Sequence, residues 1–187
     1  MTAAVVLAAG ASTRLGEPKQ LVEIGGETLL ERAVRTAREA GCAPVVVVLG
    51  ASFAEVLAYS KLGDAIPVIN DEWQEGMATS IVRGVRALGI VAKGTDGVVL
   101  MTCDQPAVTA EHLRALVAAG GVTASAYAGR RGVPAYLPAA SFAGLMKLRG
   151  DAGARELLRD APAVELVGGE LDVDTAADRA TAERLFG

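Results

Sequence analysis

Hydrophobic and polar positions follow two periods in turn along the first 120 residues, and the alternation predicts strand and helix by turns. Ala3–Leu7 is a short unbroken apolar run, the signature of a strand covered on both faces. Thr28 and Glu31 stand at the spacing of a capping box. Leu30, Ala33, Val34 and Ala37 then recur at helical spacing until Gly41 stops them. Pro44–Leu49 (PVVVVL) is the clearest strand, β-branched and bounded by Pro and Gly. Ala54–Ser60 predicts a second helix and Ile66–Ile69 a third strand. Ile81, Val85 and Leu88 mark a third helix that starts near Gly76–Thr79, and Gly97–Met101 (GVVLM) is a fourth strand. Leu113, Leu116 and Val117 mark a fourth helix, ended by Gly120-Gly121.

Beyond that point the pattern is more mixed. Ala124–Ala128 and Val133–Leu137 are strand-like, with Gly129-Arg-Arg-Gly132 read as the turn between them. Ser141–Leu148 and Ala152–Arg159 look helical, Val164–Val167 reads as a last strand and Ala176–Leu185 as a last helix. The order predicts one α/β domain over residues 1–187, a Rossmann-like three-layer sandwich with a mostly parallel sheet and helices on both faces.

Composition agrees. The chain has 187 residues, of which 51% are hydrophobic and 21% charged, as in an ordinary globular protein. A net charge of -4 argues against a general nucleic-acid or anionic-membrane binder. No apolar run approaches the ~20 residues of a membrane span, and no basic-then-apolar leader opens the chain, so the expected compartment is the cytoplasm. Cys42 and Cys103 form no CxxC and His112 is the only histidine, which disfavours a Cys/His zinc site and leaves a disulfide unsupported. His112 reads as an ordinary surface or core-edge residue and Cys103 as a core residue, and neither cysteine has an obvious base beside it in sequence. The pairs Arg35/Arg38 and Arg83/Arg86 read as solvated helix faces.

Ligands of such folds gather beyond the carboxyl ends of the strands, and the loops after Leu7, Ile69 and Met101 all carry unusual residues. The first, LAAGASTRLGEPK, matches neither G-x-G-x-x-G nor the P-loop pattern. Its small residues Ala8, Ala9, Gly10, Ala11 and Ser12 still let backbone N–H groups approach an anion. Arg14 offers a bidentate clamp and Lys19 a point charge. The bland alternative is a connector with solvated charges, but loops of this length without a function are uncommon. In the second loop Asn70, Gly76 and Ser80 either bind a ribose or phosphate at a helix start or cap that helix. Trp73, the only tryptophan, reads as a lid packed over the core edge.

The third loop places Asp104 where Mg²⁺ is held beside phosphates, with Pro106 fixing a turn. Asp172 and Asp174 lie on one side of an extended stretch and supply a second carboxylate. Asp174 also fits the N-cap of the last helix, alone or with Thr175. In Gly150-Asp-Ala-Gly-Ala-Arg155, Asp151 is either a helix cap or part of a substrate wall.

Six segments in order, Leu7–Leu21, Asn70…Trp73…Gly76–Ser80, Cys103–Pro106, Gly129–Pro134, Gly150–Arg155 and Asp172–Thr175, resemble the signature of the MobA-like nucleotidyltransferases. Their domain is of the nucleotide-diphospho-sugar transferase type. Within the family the chain is most similar to the members that attach cytidylate to the molybdenum cofactor. The resemblance implies that the terminal phosphate of molybdopterin attacks the α-phosphate of CTP, releasing pyrophosphate and giving molybdopterin cytosine dinucleotide. It implies Mg²⁺ on Asp104 and Asp174, with Asp104, Lys19 and Arg14 as the catalytic groups. The nucleotide would meet Leu7, Ala8, Ala9, Gly10, Ala11 and Ser12, then Arg14, Lys19, Asn70, Gly76, Ser80 and Asp104. The acceptor would meet Gln105, Pro106, Gly132, Pro134, Asp151 and Arg155. A transient contact with a molybdenum hydroxylase would receive the product.

Ala8-Ala9-Gly10 and Pro18-Lys19 favour cytidine, since guanylyl members tend to have Ala-Gly-Gly and Asp-Lys there. Val133 departs from the family's usual Gly-His-Pro or Gly-Asn-Pro, and its side chain cannot hydrogen-bond; that bears on the acceptor more than on the nucleotide. The rival readings are a related nucleotidyltransferase with another nucleotide or phosphorylated acceptor, a non-catalytic accessory protein for molybdenum hydroxylase maturation, and a nicotinamide-dependent oxidoreductase. The missing G-x-G-x-x-G speaks against the last.

Overall fold

β1 (Thr2–Ala8) runs through the middle of the molecule, as its unbroken apolar sequence requires. The structure is a computed structural model that describes residues 1–187, Ala152 by its backbone only. After β1 come the short strands β2 (Glu23–Ile24) and β3 (Glu27–Thr28), then α1 (Leu29–Glu39), β4 (Val45–Leu49), α2 (Phe53–Tyr59), β5 (Ile66–Ile69) and α3 (Met77–Val91). β6 (Gly97–Thr102), α4 (Ala110–Ala118), β7 (Thr123–Tyr127), β8 (Arg130–Pro138), α5 (Phe142–Leu145), α6 (Arg155–Leu158), β9 (Ala163–Glu165) and α7 (Ala176–Phe186) complete the chain.

A seven-stranded sheet has the order β5-β4-β1-β6-β8-β7-β9. β1 is parallel to β4 and β6, β4 to β5, and β7 to β9; only β8 runs against its neighbours β6 and β7. The chain winds outward from β1 through β4 to β5, then returns to lay β6 on the other side of β1. That reversal leaves a crevice beyond the carboxyl ends of β1 and β6, where open α/β sheets bind ligands.

The two faces of β1 feed two cores. Ala4, Val6 and Ala8 pack with Leu30 and Val34 of α1 and Leu113 and Leu116 of α4. Ala3, Val5 and Leu7 pack with Ile81, Val85 and Leu88 of α3, and with Leu145 and Leu158 of α5 and α6. α3 lies close against the sheet because Gly84 has no side chain: a Cβ there would stand 2.5 Å from Val5 Cγ1. Thr28 and Glu31 form the expected capping box of α1.

Some boundaries move. The β2–β3 hairpin was not expected, and with α7 it builds a separate cluster of Val22, Ile24, Leu29, Val173 and Ala182. Arg130 and Arg131 stand in β8, not in a turn. The hairpin turns one step earlier, at Ala128 and Gly129, whose φ values of 47° and 70° suit a tight two-residue turn. The helix expected over Ser141–Leu148 is a 3₁₀ turn at Ala139–Ser141 followed by α5, and that over Ala152–Arg159 is a turn at Gly150–Ala152 followed by α6. Cys42 and Cys103 are free and buried. Among the described residues no helix is long and apolar enough to cross a membrane.

Candidate active site

A cleft of about 410 Å³ opens at the crevice between β1 and β6. Leu7, Ala8, Ala9 and Gly10 form one wall; Trp73, Gly76, Met77 and Ser80 form another. A second cleft of about 390 Å³ adjoins it, walled by Gln105, Tyr127, the Arg130–Val133 stretch of β8, Arg155, Asp172 and Asp174. Lys19, Met77, Thr102, Asp104 and Asp151 line both.

Internal bonds shape the loop after β1. Gln20 is buried, and its Nε2 donates to the carbonyls of Ala8 (2.6 Å) and Gly10 (3.2 Å). Ser12, at φ 53°, accepts the Lys19 N–H on its Oγ at 3.0 Å. Its carbonyl receives the N–H groups of Leu15 (3.0 Å) and Gly16 (3.3 Å). Gln20 carried no signal in the sequence beyond its place beside Lys19.

The loop delivers Lys19 to the junction of the clefts. Its ammonium donates to Asp104 Oδ2 at 2.8 Å and to Asp174 Oδ1, while Arg14 reaches Asp174 Oδ2 at 2.7 Å. Three sequence-distant segments thus meet in one chain of charges. Asp174 arrives because Val173, fully buried, donates its N–H to the Asp104 carbonyl at 2.9 Å. With Val173 turned inward, alternation turns Asp172 and Asp174 toward the cleft. Thr175 and Asp178 cap α7 reciprocally, so the Asp174 carboxylate is free of that task.

Burial opposes the charge on Lys19, but Asp104 and Asp174 outweigh it and hold its ammonium well above the usual lysine range. Burial, with Asp104 adding to it against the pull of Arg130, pushes Asp172 up to about 6. Asp104 Oδ1 is buried with no hydrogen-bond partner. An orphaned carboxylate oxygen beside a second carboxylate suits a hard divalent cation. Among the described residues no third His, Cys, Asp or Glu completes a cage. An ion here would therefore draw its remaining ligands from substrate phosphates and water, the habit of Mg²⁺.

The other expected site residues divide. Ser80 lines the first cleft; its Oγ accepts from Asn70 Nδ2 at 3.0 Å, which leaves its proton free to face a ligand. Gly76, at φ 111°, also lines it. Asn70 does not. It is fully buried, Nδ2 donates to Thr79 Oγ1 (2.9 Å) and Ser80 Oγ, and Oδ1 accepts from the Glu72 N–H (3.1 Å). Asn70 is thus a pin behind the wall, its donors spent on α3. Ala11, Ser12 and Arg14 form neither wall.

In the second cleft Gly132, Asp151, Arg155 and Gln105 take their places, Gln105 held by the Gly169 carbonyl at 3.1 Å. Asp151 lines a wall and caps no helix. Pro106 and Pro134 are turned inside and form neither wall, because each fixes backbone beneath the surface it was expected to present. Trp73, Met77, Tyr127, Arg130 and Arg131 join the walls without having been singled out as site residues. The sequence pattern makes Trp73 a lid over the core edge and the two arginines turn residues, whereas in the structure all three face a cleft.

An open α/β sheet with a charged double cleft at its switch point defines a nucleotide-handling domain. The chain belongs to the MobA-like NTP transferase family, whose domain pattern matches residues 4–166. It is 34% identical to nicotine blue oxidoreductase of Paenarthrobacter nicotinovorans, over 97% of this chain and 93% of that protein. It is 31% identical to purine catabolism protein PucB of Bacillus subtilis, over 83% and 79%. Among solved structures, Rv0371c of Mycobacterium tuberculosis H37Rv in complex with manganese superposes with a TM-score of 0.79 at 31% identity, covering 98% of each chain.

Proposed function

We propose that this chain is a Mg²⁺-dependent cytidylyltransferase that transfers CMP from CTP to the terminal phosphate of molybdopterin. One observation carries the reading: two clefts, one mostly apolar and one in which charged side chains alternate with apolar ones, meet at Lys19 and Asp104. A nucleotide in the first and a phosphorylated acceptor in the second would bring their phosphates together there. The family membership supports the transferase class, and the manganese complex of the similar Rv0371c supports a divalent ion.

A phosphate oxygen of the acceptor attacks the α-phosphorus of CTP, the bond from α-phosphorus to the bridging oxygen breaks, and pyrophosphate leaves. No side-chain nucleophile is needed, so the protein contributes position and charge. The small residues Ala8–Gly10 let the backbone approach the triphosphate. Lys19 exchanges its carboxylate partners for phosphate oxygens, and Arg14, exposed outside both walls on Asp174, would swing in to do the same. Asp104 and Asp174 would hold the ion, which when bound neutralises phosphate charge and helps align the displacement. The loop after β1 lacks the glycine pattern of a dinucleotide site, which favours nucleotidyl transfer over the hydride chemistry that the name of the Paenarthrobacter relative suggests.

Calorimetric titration with CTP and with GTP, each with Mg²⁺, tests the reading on the wild type and on Lys19→Ala. Tight, Mg²⁺-dependent, CTP-selective binding that weakens in the variant is expected. A preference for GTP would overturn the base assignment and keep the chemistry. Binding of neither nucleotide would overturn the transferase reading in favour of an accessory protein.

A further inference from the structure

Trp73 is the largest side chain on the walls of the first cleft, and the transfer chemistry leaves it without a task. The only tryptophan of the chain is half-buried on the cleft wall beside Met77, itself 43% exposed. Large apolar side chains left open together on a concave wall mark a place where something apolar docks. The root of the indole is seated on backbone. A Cβ at Gly50, just past the end of β4, would come within 2.7 Å of Trp73 Cβ and 2.8 Å of Cγ. A side chain at position 50 would therefore displace the indole from this seat.

The segment that carries the ring is fixed before any ligand arrives. Asn70 pins Glu72 at 3.1 Å, the Glu75 N–H reaches the Glu72 carbonyl at 3.0 Å, and the Gly76 N–H reaches the Trp73 carbonyl at 3.3 Å. The charged groups, Lys19 and Asp104, gather where this cleft meets the second. The phosphates of a nucleotide belong there, which leaves the apolar remainder of the first cleft to the base.

We propose that Trp73 is the nucleobase platform of this site, the base of the bound nucleotide stacking on the indole. The proposal rests on the nucleotidyltransferase reading. Every base has a π-face, so stacking adds affinity for any nucleotide, and the choice of cytosine over guanine falls to hydrogen-bonding groups on the other walls. Loss of one base–aromatic stack weakens binding by about ten- to a hundredfold. Trp73 therefore sets the affinity for the base-bearing end and leaves the triphosphate end untouched.

The single tryptophan makes this measurable. Wild type, Trp73→Phe and Trp73→Ala are titrated calorimetrically with CTP, GTP and inorganic triphosphate in Mg²⁺, and the wild-type fluorescence is followed in parallel. Nucleotide should quench the fluorescence saturably, and inorganic triphosphate should not. Trp73→Ala should raise the nucleotide Kd about ten- to a hundredfold. Trp73→Phe should stay within about threefold of wild type, since it keeps a π-face. All three proteins should bind inorganic triphosphate alike. Unchanged nucleotide binding in Trp73→Ala would overturn the proposal. So would equal losses of nucleotide and inorganic triphosphate, which would make Trp73 a wall support only. If wild type binds neither nucleotide, the transferase reading fails first and the platform with it; failure in the variants alone removes only the platform.

Discussion

The two clefts are built in different ways. The first rests on the carboxyl ends of parallel strands: one wall, Leu7, Ala8, Ala9 and Gly10, is backbone and small side chains, and the other sets the large apolar Trp73 and Met77 beside Gly76 and Ser80. The second rests on the one antiparallel strand, β8, and on short helical turns, and the charged side chains of Arg130, Arg131, Arg155, Asp151 and Asp172 stand among Tyr127, Val133 and Leu158 on its walls. A wall made of backbone changes little when one side chain changes. A wall made of side chains can be altered residue by residue. On the proposed function the triphosphate would meet the first kind of wall and the acceptor the second, where Val133 departs from the usual family pattern.

Asp104 joins the two halves, so its loss should have the largest effect. Asp104→Ala should lower turnover by about a thousandfold or more, the scale on which a metal-held or charge-stabilised transition state depends on one ligand. The fold should survive, because the bond that ties residue 104 to Val173 uses its backbone carbonyl. Transfer assays beside circular dichroism check both halves of the statement. A folded variant with near wild-type turnover would remove Asp104 from the chemistry and leave the clefts without a shared centre.

The difference between the halves also governs what could be read from sequence. β1 and β4 are buried on both faces, so their unbroken apolar runs had only one meaning. Asp104 stands out as a carboxylate just past a buried strand and Lys19 as the cation closing a long small-sided loop, whereas Asp174 carries two open readings, a ligand and a helix cap. Asn70 carried the same outward sign and is a buried pin. A polar side chain after a strand looks identical whether it bonds inward or to a ligand. Flanking glycines make Gly129-Arg-Arg-Gly132 look like a turn, but Ala128 accepts φ 47° and moves the turn back one step, which swings both arginines onto the strand. The β2–β3 hairpin has two-residue strands, too short for any period to show. The acceptor half is harder to read because its elements are short and its contacts lie between distant segments.

Arg155 tests the independence of the clefts. It lines the second only, and among the described residues it enters no ion pair. Arg155→Ala should raise KM for the acceptor about tenfold, the worth of one charge-assisted hydrogen bond, and leave the Kd for CTP within about twofold. Steady-state kinetics with each substrate varied in turn separates the two constants. A matching rise in the CTP Kd would mean that the clefts act as one.

The smallest effect lies beneath the acceptor strand. Ser125 Oγ donates its proton to the Pro134 carbonyl at 2.5 Å, so it can only accept from His112 Nε2, 2.7 Å away. Nε2 therefore carries a proton, and burial, which holds the His112 pKa below the usual histidine value, favours the neutral ring. The unfolded chain takes up this proton near pH 6.5, before the folded chain does. The contribution to stability is thus complete above about pH 6.5 and is lost as the pH falls from there toward the lowered folded value. His112 is the only histidine, so His112→Gln should remove this component alone. Melting curves from pH 8 to pH 5 should show wild type losing roughly 2 °C more than the variant below pH 6.5. The Kd for CTP should follow the same pH course in the variant and the wild type, because His112 supports β8 and not the loop after β1. Parallel melting in the two proteins would place the acid-sensitive group elsewhere, and a Kd that diverged between them would tie β8 to the first cleft.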